Sequence, residues 1–358
     1  MQKEGILVRI FDYSFLKNAM FPATLLKTTA AIYSLRVSTG HQKNHCSRAF
    51  AELETLARVQ SVKSSNAIEG IITSDARIRA IVEESSVPLN HDEAEIAGYR
   101  DVLNIIHTQH DTRTLSEKNI LDMHRMLMSY AGYEYGGKYK IEDNLILETD
   151  AEDRRRICFR PIPAAQTREA MEQLILAYED AKNDPQIDLL LLIPCVILDF
   201  LCIHPFRDGN GRLSRLLSLL LLYKNGFDAG KYISFEAQVD KEKAYYYGAL
   251  KESSAGWMTN KNGYIPFIEN FLSMLYLCYK ELNSRFAIVE HKKITKKERT
   301  ESAILSSLMP LSKADLCQLY PDISPTTVEA VLGELCRAGK IQKVGKGRST
   351  RYTKAYKV

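Results

Sequence analysis

Apolar residues recur at three- and four-residue intervals along most of this chain, the spacing that lines one face of a helix. The stretches SRAFAELETLARVQ, EKNILDMHRMLMSY and REAMEQLILAYED all show it, and they predict a mainly α-helical protein. One interval breaks the rhythm. From Gly136 to Pro163 two runs of strand composition flank the polar turn TDAED, which predicts a β-hairpin. Two segments are apolar almost throughout. Gln186 to Ile203 reads as a helix deep in the core, and Leu213 to Lys224 as its partner, stopped by Asn225-Gly226.

Around His291-Lys292-Lys293 the composition turns basic. Three short helical patterns follow, ERTESAILSSLMP, KADLCQLYP and TTVEAVLGELCRAGK, and then the strand–turn–strand IQKVGKGRSTRYTK. That is the order of a small winged helix-turn-helix domain. The 358-residue chain carries a net charge of +4, but residues 291–358 hold 14 Lys/Arg against 6 Asp/Glu. A basic tail on a mildly acidic body is suited to a polyanionic partner, DNA among them. Lys343, Lys346, Arg348 and Arg351 on the wing are the candidate phosphate contacts.

The longest apolar run, Leu189 to Leu198, is short of the roughly 20 residues a bilayer span needs, so no membrane role is expected. The first residues lack the pattern of a secretory leader. Seven scattered cysteines without a C-x-x-C pair fit reduced thiols, and the expected location is the cytoplasm.

Between the two apolar segments lies IHPFRDGNGRLSR, Ile203 to Arg215, a dense polar run. A loop that opens a helix is a natural anion site, because unpaired backbone N–H groups and the helix dipole favour negative charge there. Gly209 and Gly211 allow close approach of a ligand and positive φ. Arg212 and Arg215, three apart, share a helix face and can reach the same phosphate oxygens. Asp208 is a hard oxygen ligand suited to Mg²⁺. His204 is a candidate general base near neutral pH. An EF-hand register fails, because Phe206 and Leu217 would fall at its first and last ligand positions. The segment Gly132 to Tyr139 is one residue short of a Walker loop and lacks its hydroxyl.

At every specified position His204 to Arg215 matches H-x-F-x-(D/E)-G-N-G-R-x-x-R, and the chain thereby resembles the Fic-domain family from about residue 90 to 285. The resemblance implies a Fic-type helical bundle with a β-hairpin flap at about 137–163, and transfer of AMP from ATP to a Tyr, Thr or Ser hydroxyl of a target protein. It assigns proton abstraction to His204 and Mg²⁺ binding to Asp208. Asn210 and the amides of Gly209 and Gly211 would stabilise the α-phosphate, and Arg212 and Arg215 would orient the outer phosphates. Phe206 would pack inward. The flap would align the target backbone by strand addition. Tyr246-Tyr247, in a Y-Y-x-x-L segment, would contact the nucleotide. Relatives that transfer phosphate itself depart from the Gly-Arg pair, which Gly211-Arg212 keeps.

Upstream, Ser65-x-x-x-Glu69-Gly70 resembles the family's inhibitory pattern (S/T)-x-x-x-E-(G/N). The resemblance implies that Glu69 forms a bidentate pair with Arg215, in cis, and denies it to the γ-phosphate. The expected layout is therefore an N-terminal helical region, 1–90, with the inhibitory segment 65–70, a catalytic core, 91–290, and the winged helix, 291–358. Removal of AMP by a Glu69-oriented water and a DNA-binding regulator with a nucleotide-sensing core stay open as alternatives. So do self-modification and a homo-oligomer.

Overall fold

The computed structural model describes residues 9–149, 155–287, 296–307, 310–347 and 350–355. In chain order the elements are α1 Ala23–His45, α2 Ser47–Ile68, α3 Asp75–Glu83, α4 His91–Gln109 and α5 Glu117–Leu127. Then come the strands β1 Ile146–Thr149 and β2 Arg155–Phe159, followed by α6 Thr167–Lys182, α7 Leu189–Ile203 and α8 Asn210–Lys224. The helices α9 Phe235–Lys241, α10 Lys243–Ser254 and α11 Ile265–Ala287 follow. The remainder is α12 Lys296–Ser306, α13 Lys313–Leu319, α14 Pro325–Arg337, β3 Ile341–Val344 and β4 Arg351–Lys354.

Two compact units result. One takes residues up to 34 together with 54–278, and the other takes 35–53 with 279–358. This division differs from the three consecutive segments expected, because residues 35–53 pack with the C-terminal part of the chain. No described helix is long and apolar enough to cross a membrane. All seven cysteines are free thiols.

In the larger unit α7 is buried along nearly its whole length, as its uniform apolarity requires. It packs between α6 and α8, and α8 in turn meets α4 and α5. Helix α8 begins at Asn210, three residues earlier than its apolar pattern indicated, since Gly209 at φ 77° supplies the left-handed turn that starts it. Asn210, Gly211 and Arg212 therefore stand in its first turn rather than in the loop.

The hairpin is shorter than the expected 137–163. Strands β1 and β2 pair antiparallel, Leu147 opposite Ile157, with a bulge between Ile146 and Leu147. Its TDAED turn lies mostly outside the described residues.

A buried charge ties the N-terminal segment to α7. Asp199 is fully enclosed and accepts from Arg9 at 3.2 Å, Tyr13 at 2.8 Å, Trp257 Nε1 at 2.6 Å and Tyr264 at 3.0 Å. Burial pushes the carboxyl pKa up, and Arg9 with the three neutral donors opposes it. The Arg9 guanidinium also lies 4.7 Å from the Trp257 ring centre.

The smaller unit holds α12, α13, α14 and the antiparallel pair β3–β4, in the order the sequence pattern indicated. Ile304, Leu316, Val328, Leu332, Leu335 and Ile341 form its core.

Replacing Asp199 with Ala would strand Arg9 and cost about 3–5 kcal/mol. Urea unfolding checks this, and a loss below about 1 kcal/mol would contradict the clasp.

Candidate active site

His204 closes α7 in the left-handed conformation, φ 51° and ψ 61°, with its N–H still bonded to the Phe200 carbonyl at 3.0 Å. A non-glycine residue there is uncommon and costs conformational energy, which marks the turn as one held by its surroundings. The following loop is stapled by Asn210. Its Oδ1 accepts the Phe206 N–H at 3.0 Å and its Nδ2 donates to the Phe206 carbonyl at 2.8 Å. Both ends of this buried amide are thus engaged with the loop itself, so in this structure Asn210 shapes the anion site rather than facing it. Phe206 is fully buried, as expected, and stacks on His124 with ring centres 3.7 Å apart.

His124, on the apolar face of α5, has both ring nitrogens assigned. Nδ1 accepts the Gly137 N–H at 2.9 Å, so Nε2 carries the proton and donates to the Asp208 carbonyl at 3.1 Å. Burial brings its pKa down to about 4, against the opposing pull of that carbonyl. His204 is likewise neutral at pH 7. Burial, and then the Lys140 ammonium, lower its pKa to about 4, against the Leu201 carbonyl, Glu69 and Asp208. Its Nδ1 is buried without a well-aligned hydrogen-bond partner.

The start of α8 has no side-chain cap, which leaves its first N–H groups for a ligand. Arg212, buried, places Nη1 2.5 Å from Glu95 Oε2 and Nη2 3.7 Å from Asp208. Glu95 thus engages Nη1, while Nε has no hydrogen-bond partner. A guanidinium with a donor to spare beside an uncapped helix start suits phosphate oxygens. Asp208 is half exposed, with Oδ1 accepting the Gly209 N–H at 2.6 Å. A single accessible carboxylate fits Mg²⁺, which keeps most of its shell for water and nucleotide phosphates.

Arg215 is buried and held by the end of α2. Its Nε donates to the Ser65 hydroxyl at 2.8 Å, and Nη2 to the Ser65 carbonyl at 2.9 Å and to Glu69 Oε1 at 2.8 Å. The bidentate carboxylate pair expected from the sequence is instead one carboxylate contact plus two bonds to Ser65. Burial opposes the Arg215 charge, but Glu69, Tyr99 and Tyr246 together outweigh it, so its pKa stays raised. Gly70, at φ 82°, terminates α2 and lets Glu69 turn toward α8. The Glu69 carboxylate lies so close to Gly211 that a Cβ there would fall 2.3 Å from Oε1. A carboxylate therefore covers part of the helix start that would receive phosphate.

Glu69, His204, Gly211 and Tyr247 line one cavity of about 480 Å³, with Leu147 and Phe159 of the hairpin on its wall. Tyr246 is buried behind it, near Arg215 and Ser214. Of the two candidate tyrosines, Tyr247 alone reaches the cavity surface.

Residues 114–222 match the Fic/DOC family model. The chain carries a Fic domain. It is 28% identical over 212 residues to Protein adenylyltransferase Fic of Nematostella vectensis, covering 56% of this chain and 44% of that protein. It is also 28% identical over 172 residues to Protein adenylyltransferase fic-1 of Caenorhabditis elegans, covering 45% and 31%. The chain thus spans less than half the length of these relatives. A crystal structure of a Fic family protein from Desulfovibrio desulfuricans G20 superposes with a TM-score of 0.62 at 20% identity, over 95% of this chain and 98% of that one. The mainly helical fold around the Fic domain is therefore a Fic-type fold.

Sequence patterns gave no hint of three residues at this Fic site. His124 reads as core among Ile120, Met123 and Leu127. Glu95 and Lys140 sit in ordinary polar stretches and meet the motif only through the fold. In the second unit Glu329 and Glu334 on α14 pair with Lys313 and Lys297, and Arg351 approaches Asp315 at 3.4 Å. Carboxylates on the helix that would enter a groove weigh against phosphate contact there. Arg348 lies outside the described residues.

Because His124 is neutral when folded, the native state resists protonation that the unfolded chain accepts below pH 6.5. Stability should fall as the pH drops from 6.5 toward 4 and level off below. Between pH 7 and pH 5, His124→Gln should lose about 2 kcal/mol less than the parent in urea unfolding. Equal losses would refute the neutral tautomer.

Proposed function

We propose that the chain is an autoinhibited protein adenylyltransferase, moving AMP from Mg-ATP to a Tyr, Thr or Ser hydroxyl of a target protein. The observation that carries this reading is the convergence on one cavity of a neutral His204, the uncapped start of α8, and the Glu69 carboxylate bonded to Arg215.

In this reading the imidazole of His204 takes the proton from the target hydroxyl. The freed oxygen attacks the α-phosphorus, the bond from that phosphorus to the bridging oxygen breaks, and pyrophosphate departs. The low pKa of His204 keeps its lone pair available at pH 7, and an approaching polyphosphate raises its basicity. The first N–H groups of α8 stabilise charge on the α-phosphate, the task of preorganised donors. Arg212, whose Nε is unpartnered, and Arg215, once released, orient the outer phosphates. Asp208 would hold Mg²⁺, which would neutralise the phosphate charge. Exposed Leu147 and Ile157 on the hairpin offer a target an edge to pair with.

Glu69 acts as a brake in two ways. It ties up Arg215, and its charge lies against Gly211, where phosphate would sit. Since Glu69 lines the cavity with His204, a second reading is removal of AMP by a water that Glu69 orients. Release of AMP from a modified protein that requires Glu69 would favour that reading.

Incubation with α-labelled ATP and Mg²⁺, with lysate as target source, tests the proposal. The parent should label protein faintly, Glu69→Gly strongly, and Glu69→Gly/His204→Ala not at all. No label from any variant would refute AMP transfer.

A further inference from the structure

The turn at His204 is left-handed, and its geometry has to be enforced from outside. The carbonyl of Ile203 is one of the last in α7 and has no intrahelical partner, while Pro205 brings no N–H of its own. Lys140 answers both. Its ammonium donates to the Ile203 carbonyl at 3.1 Å, and its backbone N–H to the Pro205 carbonyl at 2.9 Å. The ammonium is steadied by Asn144 Oδ1 at 2.8 Å, and Asn144 in turn donates to the Phe206 carbonyl at 3.0 Å. Residues 140–144 thus run as a strap along the backbone of 203–206. Lys140 is only 6% exposed, and among the described residues no carboxylate forms an ion pair with it. A buried, unpaired ammonium is expensive, so its retention beside the candidate base calls for a function.

We propose that Lys140 is the positioning residue for His204, gripping the carbonyls on both sides of it so that the imidazole stays fixed in the cavity wall. The proposal rests on the transfer reading above. The charge of Lys140 adds a second effect, because it disfavours protonation of His204, whereas Glu69 just beyond α2 and Asp208 from the loop favour it. Burial lowers the Lys140 pKa to about 8 against the pull of Asp143, so it is largely charged at pH 7.

The test compares Lys140→Met, Lys140→Gln and Lys140→Arg in the Glu69→Gly background. Misplacing a base by about 1 Å costs on the order of 100-fold, so Lys140→Met should lower kcat about 10- to 100-fold with KM for ATP within about twofold. Removing the cation raises the His204 pKa, and the acid limb of the kcat–pH profile should move to higher pH. Lys140→Arg, which keeps charge and donor, should restore most of kcat and the original limb. Lys140→Gln, which keeps a donor without charge, should shift the limb with a smaller loss of kcat, and it serves if Lys140→Met does not fold. NMR titration of the His204 ring reads the same pKa rise without any turnover. An unmoved ring pKa, or a loss falling on KM, would overturn the role of Lys140. An inactive Glu69→Gly parent whose His204 pKa still responds to Lys140 would instead count against transfer alone.

Discussion

A guanidinium inside a protein has to find acceptors, and the placement of Arg215 governs how this site is built. It sits on α8 in the buried centre of the larger unit, and the end of α2 supplies its partners, Ser65 and Glu69. Leaving such a charge unpaired would cost several kcal/mol, so α2 docks where it can satisfy Arg215. A wider polar network fixes that docking. Glu236, itself buried, accepts from Ser61 of α2 at 2.7 Å and from Tyr99 of α4 at 2.9 Å. Tyr99 also meets Ser65. The end of α2 is thus docked by packing as much as by charge, held along two turns and not by Glu69 alone.

The same economy applies to the loop. Its polar side chains fall into those that hold it and those that face the cavity. Asn210, His124 and Asn144 hold the backbone, whereas His204 and the α8 N–H groups are left with unused bonding capacity. Unused capacity in a buried place is where a ligand belongs. The neighbouring apolar helices α7 and α8 keep water out and the geometry fixed, which is why so polar a run is flanked by so much hydrophobic chain.

Much of this was legible in the sequence. The three- and four-residue periodicity, the apolar pair around the motif and the hairpin composition sufficed for the mainly helical fold. The two segments singled out, His204 to Arg215 and Ser65-x-x-x-Glu69-Gly70, meet through the bonds of Arg215 to Ser65 and Glu69. What escaped depends on long-range packing. Lys140 and Glu95 carry no local signal, and their distance from the motif along the chain closes only in three dimensions. The role of Asn210 could not be read, because whether an amide faces a ligand or its own loop depends on which backbone groups lie within 3 Å. Nor could the joining of residues 35–53 to the C-terminal unit, which periodicity does not encode.

The most direct measurement is calorimetric, comparing ATP and AMP binding to the parent and to Glu69→Gly. A charge-assisted bond is worth about 1.5–3 kcal/mol, and 1.4 kcal/mol is tenfold in affinity. Freed Arg215 should reach only the outer phosphates. The gain on Glu69→Gly should therefore be about tenfold larger for ATP than for AMP. Equal gains for the two nucleotides, or none for either, would contradict the claim that Glu69 withholds Arg215 from the nucleotide.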